Sequence, residues 1–253
     1  MDRIFRVQNG TGARHAVERD GGFFWLDGDL FGDYRPGAKI EKDGLTFLAP
    51  VAPTKIVAIG LNYKDHAAEM NKPLPAEPLM FIKPSTAVIG PDAAIRLPQG
   101  LGEIHYEAEL AVVIRRTATR VKAADAAGHV LGVTCLNDVT ARELQRKEIQ
   151  YTRAKGFDTF APLGPCIAVG LDASSLAIEG FVNGERRQAS NTNQLIFSIE
   201  RLVEFVSNVM TLNPGDVITT GTPSGVGPLK AGDRFTIRIE GVGELSNPVT
   251  ARD

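Results

Sequence analysis

Cysteine, aromatic side chains, surplus positive charge and long apolar runs are all scarce in this sequence. Its two cysteines, Cys135 and Cys166, stand far apart and outside any C-x-x-C spacing. They are too few for a disulfide scaffold or a thiolate zinc site, and read as buried, hydrophobic-like cysteines of a reducing compartment. Lys and Arg total 28 against 30 Asp and Glu, a formal net charge of -2. Without a basic surplus to hold a phosphate backbone, nucleic acid is not an expected partner. Aromatics are 7% of the chain and form no run of the kind a stacking platform uses. No stretch approaches the ~18 to 20 apolar residues of a membrane span. The opening MDRIFRVQNG has no apolar signal region. A cytoplasmic protein without a membrane partner is therefore the expectation. What is present is ordinary for a soluble globular protein: 43% hydrophobic and 23% charged residues in 253. That length buries a full core in one or two domains.

Glycine (26) and proline (15) are spread along the chain and punctuate short apolar runs, the mark of a strand-rich, turn-rich fold. Residues 1–50 read as a small β-rich region, with strands near 5–7, 23–26 and 45–48. APVAP suggests a boundary to a larger part, 51–253. There, 55–61 (KIVAIGL), 79–83 (LMFIK), 107–114 (EAELAVVI) and 130–136 (VLGVTCL) read as strands. NYKDHAAEM, at 62–70, has helical character. The proline-rich KPLPAEP after it makes 62–78 a candidate mobile lid. A second helix is expected over TARELQRKE and an amphipathic one over 195–210. Asn183-Gly184 signals a two-residue hairpin, and two more strands are expected at 235–239 and 244–249. Strands dominate and helices do not alternate with them regularly, so the fold class is α+β rather than a doubly wound parallel sheet.

Glu107 and Glu109 are the most informative residues. Two apart on a strand, they project from one face while Ala108 and Leu110 face the other. Adjacent like charges on an apolar strand call for a cation, unless that face is simply solvated. Asp138, where VLGVTCLN stops, is either a helix N-cap or a third ligand. Three carboxylates with no cysteine or suitable histidine favour a hard cation, Mg²⁺ or Mn²⁺, over zinc. If the next segment is helical from its start, Asp138, Arg142 and Gln145 form one stripe at i, i+4, i+7. The alternative is an exposed charged helix face. His66 and Glu69, three apart, would share a helix face. A carboxylate on an imidazole fixes its tautomer and suits it to take a proton from water. A surface His-Glu pair is the plainer reading. His105 shares the parity of the glutamates and could neighbour a metal site. GTPSGVGPL is a weak anion-loop signal that reads more readily as a structural turn, and Lys155 alone reads as a solvated lysine.

Taken together, VAIGLNYKDHAAEM, PLMFIKPSTAVIGP, IHYEAELAVVI, LNDVTARELQ, AKGFDTFAPLGP and ITTGTPSGVGPL resemble the fumarylacetoacetate hydrolase family. The motifs span about residues 53 to 229 in the family's order, and residues 1–50 resemble its small, variable N-terminal region. The resemblance implies a strand-rich mixed β-roll, a homodimer, and Mg²⁺ or Mn²⁺ held by Glu107, Glu109 and Asp138. It implies a catalytic His66-Glu69 pair in a lid, a catalytic Lys155, and substrate-binding roles for Arg142, Gln145 and Thr222. His105 departs from the acidic or polar residue more usual at its place.

Such a site suits hydrolysis of an acylpyruvate-type 2,4-dioxo acid. The cation chelates the carboxylate and 2-oxo group, water activated by His66-Glu69 attacks the far carbonyl, and the C-C bond breaks to an enolate that the cation stabilises. Lys155, with Thr222 or backbone N-H groups, would meet the oxyanion. Arg142 would hold a substrate carboxylate bidentately. Oxaloacetate decarboxylation and isomerisation of a 2-hydroxyhepta-2,4-diene-1,7-dioate-type diacid are the alternative enzyme readings. A non-catalytic, metal-dependent 2-oxo acid binder is the reading from another class.

Overall fold

In the computed structural model, residues 1–10 and 12–252 are described. Apolar runs too hydrophobic to leave either face in water assemble into a 12-stranded sheet. Its ordered path runs Tyr34–Lys39, Gly22–Gly28, Gly12–Arg19, Asp2–Asn9, Ala161–Val169, Val130–Asn137, Ala108–Ile114, Val217–Thr219, Lys55–Ile59 and Met80–Pro84. The central strand Ala108–Ile114 is buried along its whole length, with core side chains packed on both faces. Most neighbours are antiparallel, but Val217–Thr219 runs parallel to Lys55–Ile59, so the sheet is mixed. A five-stranded sheet, Glu185–Asn191, Ala177–Val182, Arg234–Ile239, Gly243–Ala251 and Ile95–Leu97, covers one side. A three-stranded sheet joins Thr140–Ala141, Ile104–Tyr106 and Gly227–Pro228. This is the expected strand-rich α+β architecture.

The N-terminal strands extend the large sheet: Asp2–Asn9 pairs with Ala161–Val169, with Ile4 opposite Ile167. The hairpin at Asn183-Gly184 forms, and both turn residues take positive φ, 52° and 83°, as the tight turn demands. Both cysteines are buried and unbridged. Burial pushes the Cys166 thiol up to about 11, and it behaves as a small apolar side chain.

The helices are α1 (Lys64–Glu69), α2 (Arg142–Lys147), α3 (Thr152–Lys155) and α4 (Ile199–Val209). Three are shorter at the start than periodicity predicts, because tertiary pairing claims their first residues. Tyr63 is extended and bridges Leu195. The Asn62 side chain, fully buried, donates to Thr220 O at 2.8 Å and accepts from Phe197 N at 2.8 Å. The 62–70 helix therefore begins at Lys64, and the 195–210 helix begins only after Ser198, whose hydroxyl caps Arg201 N. Thr140–Ala141 pairs with Ile104–His105, so the helix expected over TARELQRKE begins at Arg142.

Candidate active site

Strand register brings the acidic residues together. Ala108 stands opposite Asn137, and one step beyond, Asp138 N donates to Glu107 O at 2.9 Å. Glu107 and Asp138, 31 positions apart by their numbers, are thus cross-strand neighbours, and Glu109 joins them by the two-residue repeat of the pleat. Ligand oxygens of all three carboxylates lie within 4.8 Å of one another. Glu107, Glu109 and Asp138 are 5%, 1% and 1% exposed, which removes the solvated-face reading of the glutamate pair.

Asp138 lies in neither helix nor strand, and α2 starts four residues later. The sequence expectation that Asp138 caps or heads a helix is therefore corrected, and with it the helical stripe. Arg142 and Gln145 do share one face of α2, where Arg142 Nη1 donates to Gln145 Oε1 at 2.5 Å. Arg142 Nη2 donates to Glu107 Oε1 at 2.6 Å. Both terminal nitrogens are thus engaged by the protein, an arrangement that differs from the open fork expected for bidentate capture of a substrate carboxylate.

Lys155, at the end of α3, is 2% exposed rather than solvated. Its Nζ donates to Glu107 Oε2 at 2.8 Å and to Asp138 Oδ2 at 2.6 Å. Burial works to lower its pKa, but Asp138, Glu107 and Glu109 outweigh that and raise it. Sequence reasoning missed Lys83, which is fully buried on Met80–Pro84. Its Nζ donates to Asp138 Oδ1 at 2.6 Å, Lys155 O at 2.6 Å and Val139 O at 3.2 Å. Burial lowers its affinity for a proton, yet three acceptors require the three N-H bonds of an ammonium. A lysine closing the apolar run LMFIK was the available signal.

The carboxylates are not equivalent. Burial acts to raise Glu107, but Lys155 and Arg142 outweigh it and hold the group at about 2. Glu109 is pushed well above the usual carboxylate range by burial, Asp138 and Glu107. Its recorded hydrogen bond is from Gly221 N, at 3.0 Å. A buried carboxyl raised by two neighbouring carboxylates, in an all-oxygen set, fits a hard dication, which would let it ionise.

His66 Nδ1 lies 2.8 Å from Glu69 Oε2, and Glu69 Oε1 accepts from Gly225 N at 3.0 Å. The carboxylate thus orients the ring and is itself anchored by the glycine-rich loop, where Gly225 has φ +93°. Ser190 Oγ donates to Asp65 Oδ2, giving α1 a second tie to the body. In the tautomer that donates Nδ1-H to Glu69, Nε2 is the ring nitrogen that carries no proton.

Thr222 behaves differently from the sequence expectation. Its hydroxyl donates to Ala108 O at 2.9 Å and accepts from Gln188 Nε2 at 2.9 Å, so its proton is spent on the backbone rather than offered to an oxyanion. Gln188, also missed, is fully buried and accepts from Ala108 N at 3.0 Å. It ties the hairpin to the acidic strand. His105 Nε2 lies 3.1 Å from Glu103 Oε2.

One cavity of about 530 Å³ gathers these groups. His66, Glu69, Glu107, Glu109, Arg142, Gln145, Lys155 and Thr222 all line it, with His105 and an apolar wall that includes Leu79 and Phe81. Asp138 lies behind, in contact with Lys83 and Lys155. Residues 55–250 match the family described as fumarylacetoacetate (FAA) hydrolase C-terminal. The chain belongs to the fumarylacetoacetate hydrolase family.

Its similarity within that family is extensive. A 5-carboxymethyl-2-hydroxymuconate delta-isomerase from Mycobacterium smegmatis is 44% identical, with a TM-score of 0.92 over 99% of this chain and 100% of that one. The mitochondrial oxaloacetate tautomerase fahd2 of Xenopus laevis is 44% identical over 223 residues, 83% of this chain and 70% of that protein. A maleylpyruvate hydrolase from Sphingobium sp. SYK-6, solved with manganese (II) ion and pyruvate, is 31% identical with a TM-score of 0.84, over 99% of this chain and 100% of that one. These fumarylacetoacetate hydrolase family relatives are named as enzymes. No helix among the described residues is long and apolar enough to cross a membrane.

Proposed function

We propose that this chain is a divalent-cation-dependent enzyme that moves the proton on C3 of a 2-oxo acid, interconverting keto and enol forms or shifting a double bond. The observation that carries this reading is the meeting in one cavity of the oriented His66-Glu69 pair and the buried Glu107, Glu109 and Asp138 cluster. A bound Mg²⁺ or Mn²⁺ would chelate the carboxylate and 2-oxo oxygens of the acid and lower the cost of negative charge there.

The chain's own groups supply the rest. His66 Nε2 takes a proton from C3, and Glu69 stabilises the imidazolium by holding Nδ1-H. The C3-H electron pair becomes the C2-C3 double bond of an enolate, and His66 returns the proton to carbon or oxygen. Lys155 has two of its three N-H bonds on Glu107 and Asp138. The third is available to an oxyanion. Gln145 Nε2 and the apolar wall orient the acid. A homodimer is part of the proposal: Ile82 on the edge strand Met80–Pro84 is 40% exposed and Ile149 is 94% exposed, surface that a second copy would cover.

Hydrolysis of an acylpyruvate-type 2,4-dioxo acid, preferred from sequence alone, becomes the second reading. The same His66-Glu69 pair would deprotonate water attacking the C4 carbonyl, and C3-C4 cleavage would leave an enolate. The 31% identical maleylpyruvate hydrolase supports it. The 44% identities to an isomerase and a tautomerase favour proton transfer first. Screening oxaloacetate tautomerisation and decarboxylation, 2-hydroxyhepta-2,4-diene-1,7-dioate isomerisation and acylpyruvate hydrolysis with added Mg²⁺ or Mn²⁺ tests this. Turnover in the first or third assay supports proton transfer, and turnover of acylpyruvates alone supports hydrolysis. No turnover of any of these acids, with cation bound, would favour a non-catalytic 2-oxo acid binder.

A further inference from the structure

The helix that carries Lys155, α3, has four residues, about one turn and too short to hold itself. Its position must come from what it packs on, and that is the strand Met80–Pro84 at the end of the large sheet. Along this strand Phe81 and Lys83 face one way and Ile82 the other. Lys83 is fully buried and Phe81 half-buried, while Ile82 is 40% exposed. Tyr151, the residue before α3, meets Phe81 in a T-shaped contact, with ring centroids 5.4 Å apart and planes at 75°. At the other end of α3, Lys83 Nζ donates to Lys155 O at 2.6 Å. Lys155 Nζ in turn lies over the Phe81 ring, 5.1 Å from its centroid. Two residues of one strand thus hold Lys155 at its main chain and at its ammonium. Phe81, Tyr151 and Lys155 all line the cavity.

We propose that Phe81 is a positioning residue for Lys155: its ring face, braced by Tyr151, keeps the ammonium at the cavity wall with the third N-H free for the bound acid. The inference rests on the proposed role of Lys155 toward an oxyanion. The carboxylates by themselves are an insecure anchor for that role. Glu107 Oε2 and Asp138 Oδ2 accept from Nζ at 2.8 and 2.6 Å, and both residues belong to the cluster proposed to hold a cation. Oxygens shared with a cation hold an ammonium less tightly, because the two positive charges repel. The aromatic face is a partner that a hard cation bound by oxygens does not claim. It attracts the ammonium through the ring quadrupole rather than by accepting the third N-H, so it restrains the charge without using the bond that the oxyanion needs. Lys155 is 2% exposed, and a desolvated setting is where this attraction is strongest.

The test replaces Phe81 with 4-fluoro-, 3,5-difluoro- and 3,4,5-trifluorophenylalanine, which keep its shape while draining negative charge from the ring face. Oxalate, an enolate mimic, is titrated into each Mg²⁺-loaded protein by calorimetry. Its Kd should weaken stepwise with fluorine number, toward about 5- to 30-fold, the scale of a buried cation-π contact. Phe81→Leu should lose as much, and Phe81→Tyr, which keeps an electron-rich face, should stay within about threefold of wild type. Proton NMR adds a readout that needs neither ligand nor turnover. The Lys155 ε-methylene, assigned by its loss in Lys155→Arg, should lie upfield of the other lysines in the ring current of Phe81 and return among them in Phe81→Leu. An oxalate Kd unchanged across the fluorinated series would overturn the positioning role. A Kd that tightens with fluorine would mean that the ring meets the anion itself, which overturns it too. A Lys155 resonance unmoved by Phe81→Leu would overturn the contact. Failure of oxalate to bind the unsubstituted protein would instead remove the reading of the acidic cluster beneath the proposal.

Discussion

Lys83 holds Lys155 by its main chain. The Lys83 ammonium donates to the Lys155 carbonyl at 2.6 Å and to Asp138 Oδ1 at 2.6 Å, while the Lys155 ammonium takes Asp138 Oδ2 at 2.6 Å. One buried aspartate is thus clamped between two lysines with different duties. Lys83 has no N-H left to offer and does not line the cavity, whereas Lys155 lines it with one N-H in reserve.

Lys83→Met keeps most of the stem's volume and removes all three donors. It leaves Asp138 Oδ1, Val139 O and Lys155 O short of a donor in the buried interior. The expected cost is about 3 to 5 kcal/mol, the scale for breaking a buried ion pair from one side. Urea unfolding of the variant should show it as a lower midpoint at unchanged slope. A loss below about 1 kcal/mol would mean that the clamp is not a major support.

Cation affinity should rise with pH. Glu109 is held well above the usual carboxylate range by burial and by Asp138 and Glu107, so over the pH range between its ordinary value and its raised one it is protonated in the metal-free protein. A dication needs the ionised form, so binding expels that proton. Below the raised pKa, each unit of pH should tighten the apparent Kd about tenfold per proton released. Mg²⁺ titrations in buffers of different ionisation enthalpy count the protons directly. Release of none across that range would show that Glu109 is already ionised without a cation.

The His66-Glu69 pair should matter unequally to different reactions. Hydrolysis and C3 proton transfer both need a base, worth about 10² to 10⁴-fold. Loss of CO₂ from a chelated 2-oxo acid needs only an electron sink. His66→Ala should therefore lose tautomerisation or acylpyruvate hydrolysis by that factor, while any oxaloacetate decarboxylation falls much less. Glu107→Ala should abolish all of them. Equal losses in His66→Ala would assign α1 to positioning or solvent exclusion.

Much of this site was legible because it is written in short-range pattern. The two-residue spacing of Glu107 and Glu109 and the three-residue spacing of His66 and Glu69 survive folding, since strand pleat and helix turn preserve them. What the pattern did not reveal depends on register and tertiary bonds. Asp138 reaches Glu107 through pairing of Ala108–Ile114 with Val130–Asn137, not through a helix cap. The spent hydroxyl of Thr222 follows from Ala108 O, which takes its proton, and from Gln188, which donates to it from the five-stranded sheet. Lys83 looked like the end of an ordinary strand, because one lysine after four apolar residues does not say which acceptors it will meet. The late helix starts at Lys64, Arg142 and Ile199 likewise answer to partners far away in sequence that no local periodicity encodes.

The central claim, cation-dependent proton transfer at C3, can be read without knowing the natural substrate. Proton NMR of pyruvate in D₂O follows exchange of its C3 hydrogens, a reaction that needs enolate formation and nothing further. With Mg²⁺ the wild-type protein should accelerate that exchange, a chelator should return it to the uncatalysed rate, and Glu109→Ala and His66→Ala should each remove most of the acceleration. Exchange that proceeds undiminished in chelator, or is absent while pyruvate is bound in the presence of Mg²⁺, would contradict the account.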